Sequence, residues 1–115
     1  LSLLPAGSLP RDRGVYVTNL LAALALAAII AGEAPGCSVE AKLAVANVHS
    51  RNAVWYGNAQ PTALDLYVAL NWQQYPDPTH GATYLIHPTD RERMPWLVEQ
   101  TGAWTCASTE LEAWR

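Results

Sequence analysis

The stretch TNLLAALALAAIIAGEAPGCSVEAKLAVANVHSR, residues 18–51, decides the fold. Between Leu20 and Ala31 no side chain carries a charge or a hydrogen-bonding group, over about three helical turns. A helix that is apolar on every side is typical of a protein interior. Residues 34–36 (Ala-Pro-Gly) end it, because proline cannot continue a helix and glycine accepts the turn geometry. We therefore predict a buried central helix over residues 18–31, followed by a tight turn.

A second helix is predicted over residues 38–49. Ser38 is suited to cap its first turn, and Glu40 places an acid where the helix dipole favours one. The polar residues of this helix recur at seven-residue spacing, which predicts that they mark its solvent-facing sides. These residues are Glu40 with Asn47 and Lys42 with His49.

Glu33 lies at the junction of the two helices, immediately after Gly32. A carboxyl group at the C-terminal end of a helix is close to the partial negative charge of unpaired carbonyls. Apolar neighbours add a desolvation cost to its ionised form. Both effects favour the protonated acid, which is the form that donates a proton to the leaving oxygen in glycoside cleavage. The alternative is a solvated glutamate just past a helix end.

Shorter signals follow along the chain. Thr62, with Asp65 three residues later, forms a capping box that predicts a third helix to about Trp72. The β-branched and aromatic segment 82–86 predicts one strand of a short β-hairpin, with residues 96–98 as its partner. A final helix is expected from Ser108, in the tail from Ala103 to Arg115. These elements together predict a small, mainly helical α+β domain.

Length and composition bound the class of protein. The 115 residues, half of them hydrophobic, predict a single domain over residues 15–115 after an extended arm over residues 1–14. Ten acidic and seven basic residues give a net charge of −3, which argues against nucleic-acid binding. Arg11 and Arg13 before the apolar run Val15–Ala31 allow a second interpretation of that run, as a signal peptide or a membrane segment.

Residues 33–51 and the segment DPTHGATYLIHP at 77–88 resemble, in this order, two motifs of the SleB-type cell wall hydrolases. Glu33-Ala34, followed by AVANV at 44–48 and Arg51, is similar to that family's opening motif, an acidic GEA before a helix of the approximate form AVAxVxxNR. Residues 77–88, DPTHGATYLIHP, are similar to its second segment, DPTxGAxYxxNP. The order of the two matches is that of the family. Ser50 replaces the family's usual asparagine, and the 25 residues between the motifs are fewer than the family normally has.

This resemblance implies a small lysozyme-like domain that cuts the MurNAc–GlcNAc bond of peptidoglycan, with Glu33 as the general acid. The cysteine and histidine spacing matches no usual zinc pattern, so we expect neither a metal nor another cofactor. Five residues in or beside the motifs are candidate substrate contacts: Asn47, Arg51, His80, Tyr84 and His87. A structural role is the open alternative for three of them, namely capping or solvation for Asn47, an ion pair for Arg51 and a core position for Tyr84.

The number of available carboxylates bears on the type of reaction. Retaining and inverting hydrolases use a second carboxylate, about 5 Å or about 6.5–9.5 Å from the first. Asp65, Asp77 and Asp90 are candidates only by elimination, and Asp77 is expected to form a turn. A lytic transglycosylase needs one glutamate, which donates a proton and then accepts one from the muramyl 6-hydroxyl. The isolated acid at position 33 therefore favours a lytic transglycosylase.

Cys37 and Cys106 allow two interpretations, either two separate buried thiols or a disulfide that closes a long loop. We expect pairing if the protein matures outside the cytoplasm. Cleavage of peptidoglycan implies a location in the cell wall, the periplasm or the extracellular space, or on a virion. The N-terminal arm is the candidate for virion or homo-oligomer contacts.

A competing interpretation is a non-catalytic module, a structural or cell-wall-binding component of a phage or phage-like particle that derives from such a hydrolase. The short connection between the motifs and the leucines of the N-terminal arm favour it. Both interpretations have peptidoglycan as the partner.

Overall fold

The computed structural model describes residues 9–53 and 57–115, and the side chains within these ranges from residue 19 onward. Three α-helices come first along the chain: α1 (Leu9–Glu33), α2 (Val39–Arg51) and α3 (Ala63–Asn71). Three strands follow: β1 (Tyr84–Ile86), β2 (Gln100–Thr105) and β3 (Glu110–Trp114). Two 3-10 helices, Trp72–Gln74 and Pro88–Arg93, extend α3 and follow β1. The predicted α+β class with mainly helical content is confirmed, since helices form about 49% of the structure.

Helix α1 begins earlier than the sequence predicts. It starts at Leu9, so residues 9–14 are helical where an extended arm is expected. Residues 1–8, which hold the first leucines of that arm, lie outside the described residues. The helix is also largely exposed over residues 19–26, where Leu21 is 61% and Leu24 50% exposed.

The prediction of a helix buried along its whole length is therefore wrong. Helix α1 has 25 residues and is about 37 Å long, whereas α3, which packs beside it, has 9 residues and is about 13 Å long. Among the described side chains of α1, which start at residue 19, the core covers only the C-terminal part, where Ala27 and Ile30 are fully buried. No helix within residues 9–53 and 57–115 has both the length and the apolar character needed to cross a membrane.

Helix α2 is the central buried helix. Every residue from Ala41 to Val48 is buried, and α2 contacts α1, α3 and β1. The prediction that its polar residues mark solvent-facing sides is wrong for Lys42 and Asn47, which are 3% and 6% exposed. The predicted N-cap is confirmed, because the hydroxyl of Ser38 accepts a hydrogen bond from the backbone N–H of Ala41 at 3.2 Å.

The capping box at the start of α3 is confirmed. The hydroxyl of Thr62 accepts a hydrogen bond from the Asp65 backbone N–H at 3.2 Å, and the Asp65 carboxylate accepts one from the Thr62 backbone N–H at 2.8 Å. These reciprocal bonds satisfy two donors that a helix start otherwise leaves unpaired.

The strands form one antiparallel sheet with β3 between β1 and β2. Leu85 of β1 lies opposite Ala113 of β3, and β2 pairs with β3 as a hairpin. The expected partner of β1, residues 96–98, is not a strand, and Val98 is 85% exposed. The helix expected from Ser108 is wrong as well, since β3 occupies this part of the chain.

A disulfide joins Cys37 to Cys106, with 4.8 Å between their Cα atoms. Of the two interpretations of these cysteines, the structure shows the disulfide and not two separate thiols. The bridge connects the turn between α1 and α2 to the end of β2, and so fixes the helical part of the fold to the β2–β3 hairpin.

Candidate active site

Glu33 is the last residue of α1 and its side chain is half-buried. One carboxylate oxygen, Oε1, accepts a hydrogen bond from the backbone N–H of Gly57 at 3.2 Å. The chain then turns sharply at Gly36, whose φ of 66° lies in the left-handed region that glycine adopts at low cost. The predicted helix–turn–helix junction with a carboxylate at its corner is therefore present.

Residues 57–59 run close along the end of α1. The backbone N–H of Ala59 donates to the Ala28 carbonyl at 3.1 Å. A Cβ placed on Gly32 would lie 2.6 Å from the Gly57 carbonyl carbon and 2.7 Å from the Asn58 nitrogen. Only glycine fits at position 32, because backbone atoms cannot yield by that much without moving the whole segment. This close approach brings the Gly57 N–H to the Glu33 carboxylate.

A buried cation holds the junction from the other side. The Lys42 ammonium donates to the Ala34 carbonyl at 2.9 Å and to Asp65 Oδ1 at 2.6 Å. A cation beside the carbonyls at the end of α1 also interacts favourably with the helix dipole. Burial by itself raises the pKa of Asp65, but the hydrogen bonds from Lys42 and Thr62 together hold that pKa below its ordinary value.

The two motif segments meet at Arg51. Its guanidinium donates to the Ala82 carbonyl at 2.7 Å and to Thr79 Oγ1 at 3.2 Å, and it forms an ion pair with Asp77. The structural alternative for Arg51, an ion pair, is thus the one that the structure shows. The side chain links the end of α2 to the loop that precedes β1.

Asp77 organises the loop that Arg51 contacts. Its Oδ1 accepts from the Thr79 backbone N–H at 2.8 Å and from the Thr79 hydroxyl at 2.7 Å, while Oδ2 accepts from the Gly81 N–H at 3.1 Å. Burial alone raises the pKa of Asp77, but these bonds and the one from Arg51 together lower it. The expectation that Asp77 forms a turn is confirmed.

The remaining candidates occupy different environments. Asn47 is buried, and its amide donates to the Leu43 carbonyl at 2.8 Å. His80 is exposed with a φ of 53°, a left-handed conformation that costs a non-glycine residue about 1 kcal/mol. Tyr84 is the half-buried first residue of β1. Burial lowers the pKa of His49, which lies in α2 two residues before Arg51.

His87 borders a separate hollow of about 440 Å³ at the turn between β2 and β3. Its Nδ1 lies 3.1 Å from the Glu110 carbonyl oxygen and 3.1 Å from Thr109 Oγ1. Cys106 also lines the hollow, so the disulfide connects this region to the turn that carries Glu33.

The structure does not join Glu33 directly to the other candidates. Within the ranges 9–53 and 57–115, the hydrogen bonds and ion pairs of Glu33 include none to the five proposed substrate contacts: Asn47, Arg51, His80, Tyr84 and His87. The three aspartates considered as a second carboxylate each pair with a cation instead. These pairs are Asp65 with Lys42, Asp77 with Arg51 and Asp90 with Arg93.

The sequence analysis does not predict the roles of two residues at the junction, Gly57 and Lys42. The signal for Gly57 is present in retrospect, because a glycine before Glu33 and a second glycine in the next loop are what a close backbone approach requires. Lys42 gives a misleading signal, since a lysine in a helix is usually solvated.

No group of three or more His, Cys, Asp or Glu side chains in the described part of the chain is arranged to hold a metal ion. Comparison of the chain with family models, curated proteins and solved structures gives no significant match.

Proposed function

We propose that this protein cleaves the glycan strand of peptidoglycan at the MurNAc–GlcNAc bond, as a lysozyme-like lytic transglycosylase with Glu33 as its general acid. The observation that carries the proposal is the difference between Glu33 and the other candidate carboxylates. Asp65, Asp77 and Asp90 are each neutralised by a cation. The described partner of Glu33 is a neutral backbone N–H, so this carboxyl can take up and release a proton without breaking an ion pair.

The chemistry needs one carboxyl group in two successive roles. Protonated Glu33 donates its proton to the glycosidic oxygen as the bond from that oxygen to C1 of MurNAc breaks. The resulting carboxylate then accepts the proton of the muramyl 6-hydroxyl as its oxygen bonds to C1, which closes a 1,6-anhydro ring. The acid is regenerated and no water is consumed. The resemblance of the two motif segments to the SleB-type hydrolases supports the same assignment.

Two of the candidate substrate contacts use their side chains for hydrogen bonds within the protein, and two others keep exposed surface. His80 and Tyr84 retain exposed surface and stay candidates for binding the sugar chain. Arg51 and Asn47 are used within the protein, where they fix the motif segments relative to each other. We propose that these two act indirectly, by shaping the surface on which the strand lies.

The disulfide supports a location outside the cytoplasm. Stable disulfides are found mainly in oxidising compartments, and the Cys37–Cys106 bridge links two distant parts of the chain. The cell wall, the periplasm, the extracellular space and a virion surface all satisfy this condition.

Digestion of purified sacculi tests the proposal. We expect soluble muropeptides that carry a 1,6-anhydro end, identified by mass spectrometry. Glu33→Gln should lose at least about 100-fold in rate, because general acid–base catalysis contributes about 10²–10⁴-fold. The matched control is Glu92→Gln, an exposed glutamate in the second 3-10 helix, which should keep full activity. Undiminished digestion by Glu33→Gln would exclude Glu33 as the acid.

The second candidate function is a non-catalytic wall-binding or structural module. The exposed leucines at positions 21 and 24 of α1 favour it, because they offer an apolar surface for assembly. Sedimentation with sacculi separates the two functions. A module that binds without cleaving pellets with the sacculi and releases no soluble muropeptides, and its behaviour is the same with glutamine at position 33.

A further inference from the structure

The contact between Gly57 and Glu33 distinguishes the two oxygens of the carboxyl group. Oε1 accepts the Gly57 backbone N–H at 3.2 Å, and the described residues donate no other hydrogen bond to the Glu33 carboxyl group. In a protonated carboxyl group the carbonyl oxygen is the better acceptor and the hydroxyl oxygen is the donor. A fixed N–H donor at Oε1 therefore favours the tautomer in which the proton is on Oε2.

The position of this N–H is set by two glycines that face each other. At Gly32 a Cβ would come within 2.6–2.7 Å of the backbone of residues 57 and 58. At Gly57 a Cβ would lie 2.8 Å from Glu33 Oε1 itself. The hydrogen bond from Ala59 to the Ala28 carbonyl anchors the same segment to α1. A side chain at either glycine would displace the donor or the carboxyl group.

We infer that Gly57 is a positioning residue for the catalytic acid: its backbone N–H holds Oε1 as an acceptor, so that Oε2 carries the proton and gives it to the glycosidic oxygen. This inference rests on the proposed function of Glu33. Gly57 does not contact the reacting atoms in this scheme. It acts through Glu33, and Gly32 provides the space that lets residues 57–59 approach.

The hydrogen bond can be tested without any enzymatic activity. In the ¹H–¹⁵N spectrum of the intact protein, the amide proton of Gly57 should move in a single step as the pH is changed through the titration of Glu33. The step should be absent in Glu33→Gln. The inference would be overturned if the chemical shift of the Gly57 amide proton did not change as Glu33 ionises, with the rest of the spectrum native.

The effect on catalysis is tested with Gly57→Ala. The added methyl group would lie 2.8 Å from Glu33 Oε1 and must push the Glu33 carboxyl away. We expect kcat to fall about 100-fold, because a misplacement of about 1 Å can cost that much, while KM stays unchanged. The matched control Gln60→Ala, an exposed side chain just beyond the segment, should keep the wild-type kcat.

A purely structural role for Gly57 predicts a different result. It would lower the melting temperature and raise KM together, and the loss would be the same whatever acid stands at position 33. In the positioning role, Gly57→Ala should cost much less when combined with Glu33→Asp, whose shorter side chain does not reach the added methyl. If the wild type digests sacculi and Gly57→Ala matches its kcat, the inference fails alone. If the wild type releases nothing, the proposed function fails and the amide titration still decides the hydrogen bond.

Discussion

Lys42 is the residue on which the geometry of the junction depends most. Its ammonium is buried between the carbonyl of Ala34, next to Glu33, and the carboxylate of Asp65 at the start of α3. A buried ion pair is expensive to desolvate, and its removal from one side leaves the other charge without compensation. One side chain thus connects the ends of three helices.

Lys42→Met should lower the free energy of unfolding by about 3–5 kcal/mol, because it leaves the Asp65 carboxylate buried and unpaired. Urea unfolding followed by circular dichroism measures the loss. Asp65→Asn in the same chain keeps an acceptor for Thr62 but removes the charge, so the double variant should regain part of that stability. Arg93→Gln, which breaks an exposed pair with Asp90, should cost at most about 1 kcal/mol. Equal losses of unfolding free energy from Lys42→Met and Arg93→Gln would contradict the role given to Lys42.

The burial of Lys42 could not be predicted from the sequence. Its seven-residue spacing from His49 is the pattern of a polar helix face, and the carboxylate that neutralises it is 23 residues further along the chain. Local patterns do not contain such a partner. By contrast, the caps at Ser38 and Thr62 depend on residues three positions away, and both were predictable.

At the level of elements, helices α2 and α3 agree with the sequence pattern and α1 agrees in part. The apolar run predicts that α1 is a helix, but hydropathy cannot show how much of a helix its neighbours cover. Coverage depends on the lengths of α2 and α3 and on where they cross α1. Within the described side chains of α1, residues 27–33 are the core half and residues 19–26 the largely exposed half.

Two substitutions measure the difference between these halves. Ile30→Ala removes a fully buried side chain and should cost about 2–5 kcal/mol of unfolding free energy. Leu21→Ala, at a position that is 61% exposed, should change it by at most about 0.5 kcal/mol. Thermal or urea unfolding of the two variants and of the wild type compares them. A large loss for Leu21→Ala would mean that this surface is covered in solution, for example in an assembly.

Strand β3 was not predictable because its burial does not alternate. Leu111, Glu112 and Ala113 are all buried, and a glutamate in the middle hides the pattern of a central strand. Its carboxylate is neutralised by Arg91, whose Nε lies 3.0 Å from Oε1, and it also accepts from the Trp114 indole at 3.0 Å. Only the folded chain brings these partners together, so the sequence indicates a helix or a loop instead.

At the scale of the whole molecule, the disulfide links the helical region to the sheet region. The disulfide joins positions 69 residues apart in the sequence, next to the turn that carries Glu33. The cross-link restricts the unfolded chain much more than the folded one. It also keeps the hairpin end against the α1–α2 turn, where Gly36 and Ala107 are neighbours.

Removal of the bridge by Cys37→Ala with Cys106→Ala should lower the free energy of unfolding by about 4 kcal/mol in the chain-entropy model. Reduction of the wild type by dithiothreitol should give a loss of similar size. The double variant is the control, since reductant should not change its stability further. A wild type equally stable with and without reductant, with both thiols shown to be free, would contradict this prediction.

Acid should destabilise the whole fold through Asp65 and Asp77, whose carboxylates are buried and half-buried. The hydrogen bonds to Asp65 and Asp77 lower their pKa values below the ordinary 3.8. A lowered folded-state pKa means that the unfolded chain takes up protons first as the pH falls. The stabilisation that these two carboxylates provide is therefore fully present above about pH 4, and it is lost as the pH falls through their folded-state pKa values. Each group contributes a slope of at most about 1.4 kcal/mol per pH unit.

Urea unfolding between pH 2 and pH 7 measures this slope. Asp77→Asn should reduce it below pH 4, because the amide still accepts hydrogen bonds in the loop but no longer titrates. Glu92→Gln, an exposed carboxyl without a described partner, should leave the slope as in the wild type. An unchanged slope in Asp77→Asn would show that the loop at residues 77–81 is not held by a charged carboxylate. Of the polar contacts that Arg51 makes with the second motif segment, only its hydrogen bonds to Thr79 and Ala82 would then hold the loop.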